Sequence, residues 1–204
     1  SKTVSIMALL DAHPTDNPAA LKKCIEEHSY NKCPCGIRSG GPVEKFALSL
    51  FEAQFKEGAG QIMQGQTKTY EECLAFHTAL FCESPIRGKR FELKSRKVVS
   101  DGLGTLLASI DTQAGALPIT WKTRRSSPYE DGDLAIDYVI LKNGTPHMGV
   151  QVKPCTVKGR EDVLELNRTK HSKCMYPVAF HFYQSDGEFE DTSKLCEFCC
   201  SINN

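Results

Sequence analysis

The chain has 204 residues, 40% of them hydrophobic and 25% charged, with 25 basic and 25 acidic side chains. That length suits one domain with a small appendage and is enough to bury a core. No stretch of about 18 apolar residues occurs, so no transmembrane helix is expected, and the first ten residues lack the apolar run and cleavage site of a signal peptide.

A net charge of zero does not by itself point to a nucleic-acid partner. Local clusters do exist, at Lys89, Arg90, Lys94, Arg96 and Lys97 and at Lys122, Arg124 and Arg125, and they fit solvated strand faces equally well. The 10 cysteines fall below the density of small disulfide scaffolds. Cys24, Cys73, Cys82, Cys155 and Cys174 are scattered and read as core thiols. This usage predicts a reducing, cytoplasmic compartment.

In chain order, Asn17-Pro18 opens the first predicted helix, with Asn as cap and Pro at the first helical position. Leu21, Cys24, Ile25 and His28 fall on one face of it. The segment NKCPCGIRSGG reads as a loop. A second helix starts near Pro42, where Val43, Phe46, Ala47, Leu50, Phe51 and Phe55 form a stripe that Gly58 and Gly60 end. A third is predicted over Tyr70 to Phe81, using Tyr70, Cys73, Leu74, His77 and Leu80. The run RFELKSRKVV alternates like a strand, and DGLGTLLASIDTQAGALP reads as helix and loop. Next come three β-rich runs, ITWKT, LAIDYVILK and HMGVQVKP. Asn143-Gly144 between the last two is a strong hairpin signal. GREDVLELNRTKHSK predicts a helix, YPVAFHFYQ a buried strand, and the tail from Ser185 is acidic and then cysteine-rich. The order predicts an α/β fold with a central mixed sheet flanked by helices. The expected organisation is a single domain, 1–204, made of an N-terminal helical extension (1–41), a core (42–184) and a cysteine-rich tail (185–204).

The chemistry is expected on the hairpin. Asp137 sits inside a β-branched and aromatic run, where Asp is disfavoured. Gln151 and Lys153 share one strand face because they are two residues apart. A carboxylate, an amide oxygen and an ammonium can therefore converge. The two oxygens are hard ligands for Mg²⁺, with Mn²⁺ as a substitute, and the lysine suits water orientation or stabilisation of an anionic transition state. The competing reading is a cross-strand Asp137–Lys153 ion pair on an exposed face, with Gln151 a surface residue. Asp133 competes with Asp137 for the metal role. Glu92-Leu93-Lys94 is a second acid-x-Lys triplet, with no strand-borne aspartate shortly before it.

The pattern Asp137…Gln151-x-Lys153, on a hairpin followed by a helix and a strand, resembles the PD-(D/E)XK nuclease superfamily over about Pro42 to Gln184. Ile136 stands where the family's proline precedes the aspartate, and Gln151 replaces the usual acid, which is similar to the Gln-x-Lys variant of Mrr-type restriction nucleases. The resemblance implies a restriction-endonuclease-like core of helix, three strands, helix and strand (αβββαβ). It also implies a Mg²⁺-dependent endonuclease, with Asp137 and Gln151 as metal ligands and Lys153 supporting the nucleophile. Because Gln151 brings no charge, another carboxylate is needed. Some family members carry a metal-binding Glu on the first core helix, which implies Glu44, with Glu52 farther along. Without a metal, Glu44 would simply complement the helix N-terminus. Double-stranded DNA is implied as substrate ahead of RNA, with a type II restriction-like homodimer cutting both strands. Lys122, Arg124, Arg125, Lys158 and Arg160 are the expected phosphate contacts. Two other readings stay open: an RNA endonuclease on the same fold, such as a viral transcript-cleaving domain, and a non-catalytic binding module. The latter would rest on a structural Zn²⁺ held by Cys33, Cys35, Cys196 and Cys199.

Overall fold

In the computed structural model, residues 6–30, 33–35, 37–56, 68–110 and 119–202 are described. They divide into two compact units, Ser1–Lys89 and Arg90–Asn204. That boundary falls inside a long helix.

The first unit is helical. Helix α1 is Ile6–Ala12 and α2 is Pro18–Ser29. Asn17 caps α2 as its sequence promised: its Oδ1 accepts from the amides of Ala19 (2.9 Å) and Ala20 (3.4 Å), which satisfies donors that a helix start leaves open. Helix α3, Val43–Ala53, follows Pro42. The glycines expected to end it, Gly58 and Gly60, lie outside the described residues. Helix α4, Tyr70–Thr78, begins with a capping box between Thr69 and Glu72 and runs through a π-helical turn, Ala79–Glu83, into α5, Ser84–Ile110. Leu9, Leu10, Leu21, Ile25, Val43, Cys82 and Ile86 form the apolar cluster of this unit.

Helix α5 corrects the strand expected from RFELKSRKVV. Over residues 90–106 its buried positions are Glu92, Ser95, Val99 and Leu103, a spacing of three and four that only a helix puts on one face. Two of these four are polar, so hydrophobic periodicity was hidden and alternating charge imitated a strand. The glycine-rich stretch stays helical through Ile110, and residues 111–118 lie outside the described residues.

The second unit carries a four-stranded sheet: β1 (Trp121–Arg125), β2 (Tyr138–Lys142), β3 (Thr145–Pro154) and β4 (Val178–Tyr183), in that spatial order. The first two pairings are antiparallel and β3–β4 is parallel, so the sheet is mixed. Asn143 (φ 52°) and Gly144 (φ 83°) make the two-residue turn between β2 and β3. Both angles are positive, as a type I′ turn requires, and Asn-Gly supplies them at low cost. Helix α6 (Pro128–Gly132) separates β1 from β2, and α7 (Glu161–His171) is the crossover between parallel strands.

One sheet face, with Tyr138, Ile140, Met148 and Val150, packs against Val99 and Leu103 of α5. It also packs against Leu195, Cys196 and Cys199 of α8, Thr192–Ser201. Burial of each large apolar side chain there stabilises by roughly 1.5–3 kcal/mol. The expected tail is therefore part of this core. Leu134, Ile136 and Val139 pack together on the other face, with Tyr176 and Val178 against them. No helix among the described residues is long and apolar enough to cross a membrane.

Candidate active site

Asp137 sits in a bend immediately before β2, outside the strand interior its sequence context suggested. Ala135 at φ 55° turns the chain there, so the β-rich run splits into a turn and a five-residue strand. The register puts Tyr138 opposite Val150, which brings Asp137 level with Gln151. The Asp137 amide donates to Val150 O (2.9 Å), and the Val152 amide donates to Asp137 Oδ2 (2.6 Å). The carboxylate is thus held by backbone. Among the described residues no ion pair joins Asp137 to Lys153, which removes the exposed cross-strand pair as the reason for their presence.

Gln151 is buried, at 3% exposure, on the β3 face opposite Val150 and Val152. Its orientation follows from a short chain of bonds. Asn167 of α7 donates through Nδ2 to Val163 O (2.7 Å), which leaves Asn167 Oδ1 as an acceptor. Gln151 Nε2 donates to that oxygen (3.0 Å). Gln151 Oε1 is then left buried with no hydrogen-bond partner among the described residues. A buried acceptor without a partner costs about 1–3 kcal/mol, so such an atom calls for a ligand or a functional reason. Sequence reading missed Asn167, although a polar residue three positions after the buried Leu164 marks a non-apolar requirement on that helix face.

The electrostatics bring in a further carboxylate. Burial, partly offset by the bond from Val152, pushes the Asp137 carboxyl up to about 7, and the negative charge of Glu92 pushes in the same direction while Lys153 opposes it. Glu92 is itself buried, at 8% exposure. It lies one turn before Ser95, whose hydroxyl contacts Tyr138 Oη (2.9 Å) and His181 Nδ1 (2.8 Å). Ser95 thus ties α5 to the Tyr138 side chain, on the sheet face opposite that of Gln151. The acid-x-Lys triplet at 92–94 is therefore helical, and the charge of its glutamate is felt at Asp137. Asp133, by contrast, is exposed at the end of α6.

Glu44 lies in the first unit, on the first turn of α3, and its carboxylate pairs with Lys22 Nζ at 2.5 Å. The hydrogen bond from Lys22 holds the Glu44 carboxyl below the usual carboxylate range. Of the expected phosphate contacts, Arg124 is bidentate with Glu130 (2.7 Å each). Lys158 pairs with Glu190, and Arg160 with Asp162 (2.8 Å). Lys122 and Arg125 are exposed on β1.

All ten cysteines are free thiols. Cys196 and Cys199 are buried in the core of the second unit, where burial pushes their thiols up to about 11 and about 12. This corrects the zinc set Cys33, Cys35, Cys196 and Cys199. In the first unit Cys33 and Cys35 gather instead with His13 and His28, with one ligand atom from each residue all within 4.8 Å of one another. That group could hold a metal such as zinc.

No protein-family model, no curated protein and no solved structure matches the chain.

Proposed function

We propose that the second unit, Arg90–Asn204, is a metal-dependent nuclease with a restriction-endonuclease-like core. The order α5, β1, β2, β3, α7, β4 agrees with the helix, three strands, helix, strand order of that fold. The observation that carries the reading is Gln151 Oε1, a buried oxygen without a partner among the described residues, level in register with an Asp137 carboxyl raised to about 7 by burial and by Glu92. Repulsion between two confined carboxylates is what a cation would relieve.

The donor set is all oxygen, which fits Mg²⁺ or Mn²⁺ and not a soft metal. Asp137, Glu92 and Gln151 Oε1 would hold the ion. Two negative charges from Asp137 and Glu92 balance a divalent cation, so neutral Gln151 need not be an acid. When bound, such an ion supplies Lewis-acid polarisation of a phosphate and makes a nearby water more acidic. Lys153, on the same β3 face as Gln151, holds the negative charge that builds on the phosphate oxygens as the P–O bond breaks. The Val152 amide keeps Asp137 in place, and Asn167 keeps the Gln151 oxygen turned away from its own helix. Glu92 takes the part first given to Glu44.

The proposed substrate is the phosphodiester backbone of nucleic acid, with duplex DNA ahead of RNA on the strength of the family resemblance. Lys122 and Arg125, both exposed on β1, are the proposed phosphate contacts. The test is incubation of the full chain with circular duplex DNA and with single-stranded RNA in Mg²⁺, Mn²⁺ or EDTA. Cleavage should require the ion and fall roughly 100-fold or more in Lys153→Ala. Cleavage that persists in EDTA, or a variant as fast as wild type, refutes the assignment.

A further inference from the structure

We propose that His13, His28, Cys33 and Cys35 form a structural Zn²⁺ site in the first unit, a site independent of the nuclease reading. The ligands come from three consecutive pieces of chain. His13 follows α1, His28 lies on the last turn of α2, and Cys33 and Cys35 lie in the loop after it. Two sulfurs and two imidazole nitrogens are the donor set of a closed tetrahedral zinc site, with no position left for water or substrate. Mg²⁺ prefers oxygen and would not be taken.

The bonding around His28 argues for the metal beyond mere proximity. His28 is buried, at 1% exposure. Its Nδ1 lies 2.6 Å from Cys24 O, and a carbonyl can only accept, so the proton is on Nδ1. In the neutral imidazole Nε2 is then a lone-pair nitrogen, and it points at Cys35 Sγ, 3.1 Å away. An imidazole anchored through Nδ1–H to a backbone carbonyl, with Nε2 free to coordinate, is the usual arrangement of a metal-bound histidine. Cys33 Sγ is 2.9 Å from Cys35 Sγ. His13 packs its ring against His28, with centroids 4.7 Å apart, and its Nε2 is buried with no hydrogen-bond partner among the described residues. Edges between zinc ligands are roughly 3.3–3.8 Å, set by bonds of about 2.0–2.3 Å; the contacts of 2.9 and 3.1 Å are shorter and the 4.8 Å span is longer, so side-chain shifts of about 1 Å bring the four atoms to that spacing.

Binding would displace one proton from each thiol to solvent, and two thiolates then neutralise the dication. The benefit is structural. The apolar cluster of this unit is small, and α1 is only seven residues long, too short to be stable by itself. A zinc ion would fix the end of α1 to α2 and to the loop that leads to α3.

The experiment uses the full chain, expressed with zinc and desalted, with metal measured by mass spectrometry and cobalt(II) substituted for zinc. One zinc per chain is expected. Cobalt should give the intense visible bands of a tetrahedral ion together with a thiolate-to-cobalt charge-transfer band. Cys35→Ser and His28→Asn should lose the ion, and Cys196→Ser should keep it. The wild-type cobalt spectrum decides the matter even if the variants fail to fold. Alkylation followed by peptide mapping gives a second readout, with Cys33 and Cys35 protected only while metal is bound. A zinc-free protein refutes the site, as does a Cys33–Cys35 disulfide in place of metal. An octahedral cobalt spectrum, or zinc retained by a folded Cys35→Ser/His28→Asn variant, refutes it too.

Discussion

Replacing Asp137 by Asn should stabilise the second unit in the absence of metal, while abolishing cleavage. The carboxyl is raised from an ordinary value of about 4 to about 7, chiefly by burial. A folded-state value above the unfolded one fixes the sign. The contribution of Asp137 to stability is complete below about pH 4 and is lost as the pH rises to about 7. A shift of about 3 pK units at about 1.4 kcal/mol each gives an upper limit of about 4 kcal/mol, and relaxation around the charge should reduce this to about 1–3 kcal/mol. Asn retains an oxygen to accept from the Val152 amide, so the substitution removes charge and little else. Trp121 is the only tryptophan and packs on the second unit's core, so its fluorescence during urea unfolding reports on this unit. In EDTA at pH 8 the variant should unfold at higher urea than wild type, and the gap should narrow at pH 5. Saturating Mn²⁺ should stabilise wild type and leave the variant unmoved. A variant equal to or weaker than wild type at pH 8, or a gap that ignores pH, would refute the reasoning.

Other consequences follow from the same contacts. Asn167→Leu removes the acceptor that orients Gln151, and metal affinity measured by calorimetry should fall roughly 10–100-fold with the fold retained. Glu130 receives both Arg124 nitrogens and the Tyr176 hydroxyl, and the Arg124 bond holds its carboxyl well below the usual range. Glu130→Gln should therefore cost about 1–3 kcal/mol at pH 7, read by Trp121 fluorescence in urea. Wild type should lose that advantage as the pH falls through the carboxylate range, because a depressed folded-state value stabilises only above the unfolded one.

Locally encoded features were legible in the sequence. Asn17-Pro18 and Asn143-Gly144 act through their own backbone bonds and angles, so no tertiary knowledge is needed to read them. The mixed sheet and its crossover helix followed from the same short-range signals. The failures share a cause in long-range packing. Helix α5 was hidden because Glu92 and Ser95 are two of the four buried positions over residues 90–106, and nothing in the local pattern reveals what that face meets. Glu92 accordingly looked like part of a charged strand, and the nearest glutamate on an apolar stripe, Glu44, took its place. The cysteines misled in the opposite way. Cys33 and Cys35 were paired with a distant cysteine group, while two histidines within 22 residues of them lay closer in space. His28 falls on the apolar face of its helix and is legible there, but its partner His13 sits outside any periodic segment.

The decisive measurement is the Mn²⁺-dependent cleavage rate of wild type, Glu92→Gln and Glu44→Gln on the same nucleic-acid substrate. A site built from Asp137, Glu92, Gln151 and Lys153 predicts a loss of roughly 100-fold in Glu92→Gln, with Glu44→Gln within about twofold of wild type because its carboxylate serves Lys22. A Glu44→Gln variant that is disabled while Glu92→Gln cuts normally would contradict the site. A wild-type chain that cuts neither DNA nor RNA with any divalent ion would contradict the function.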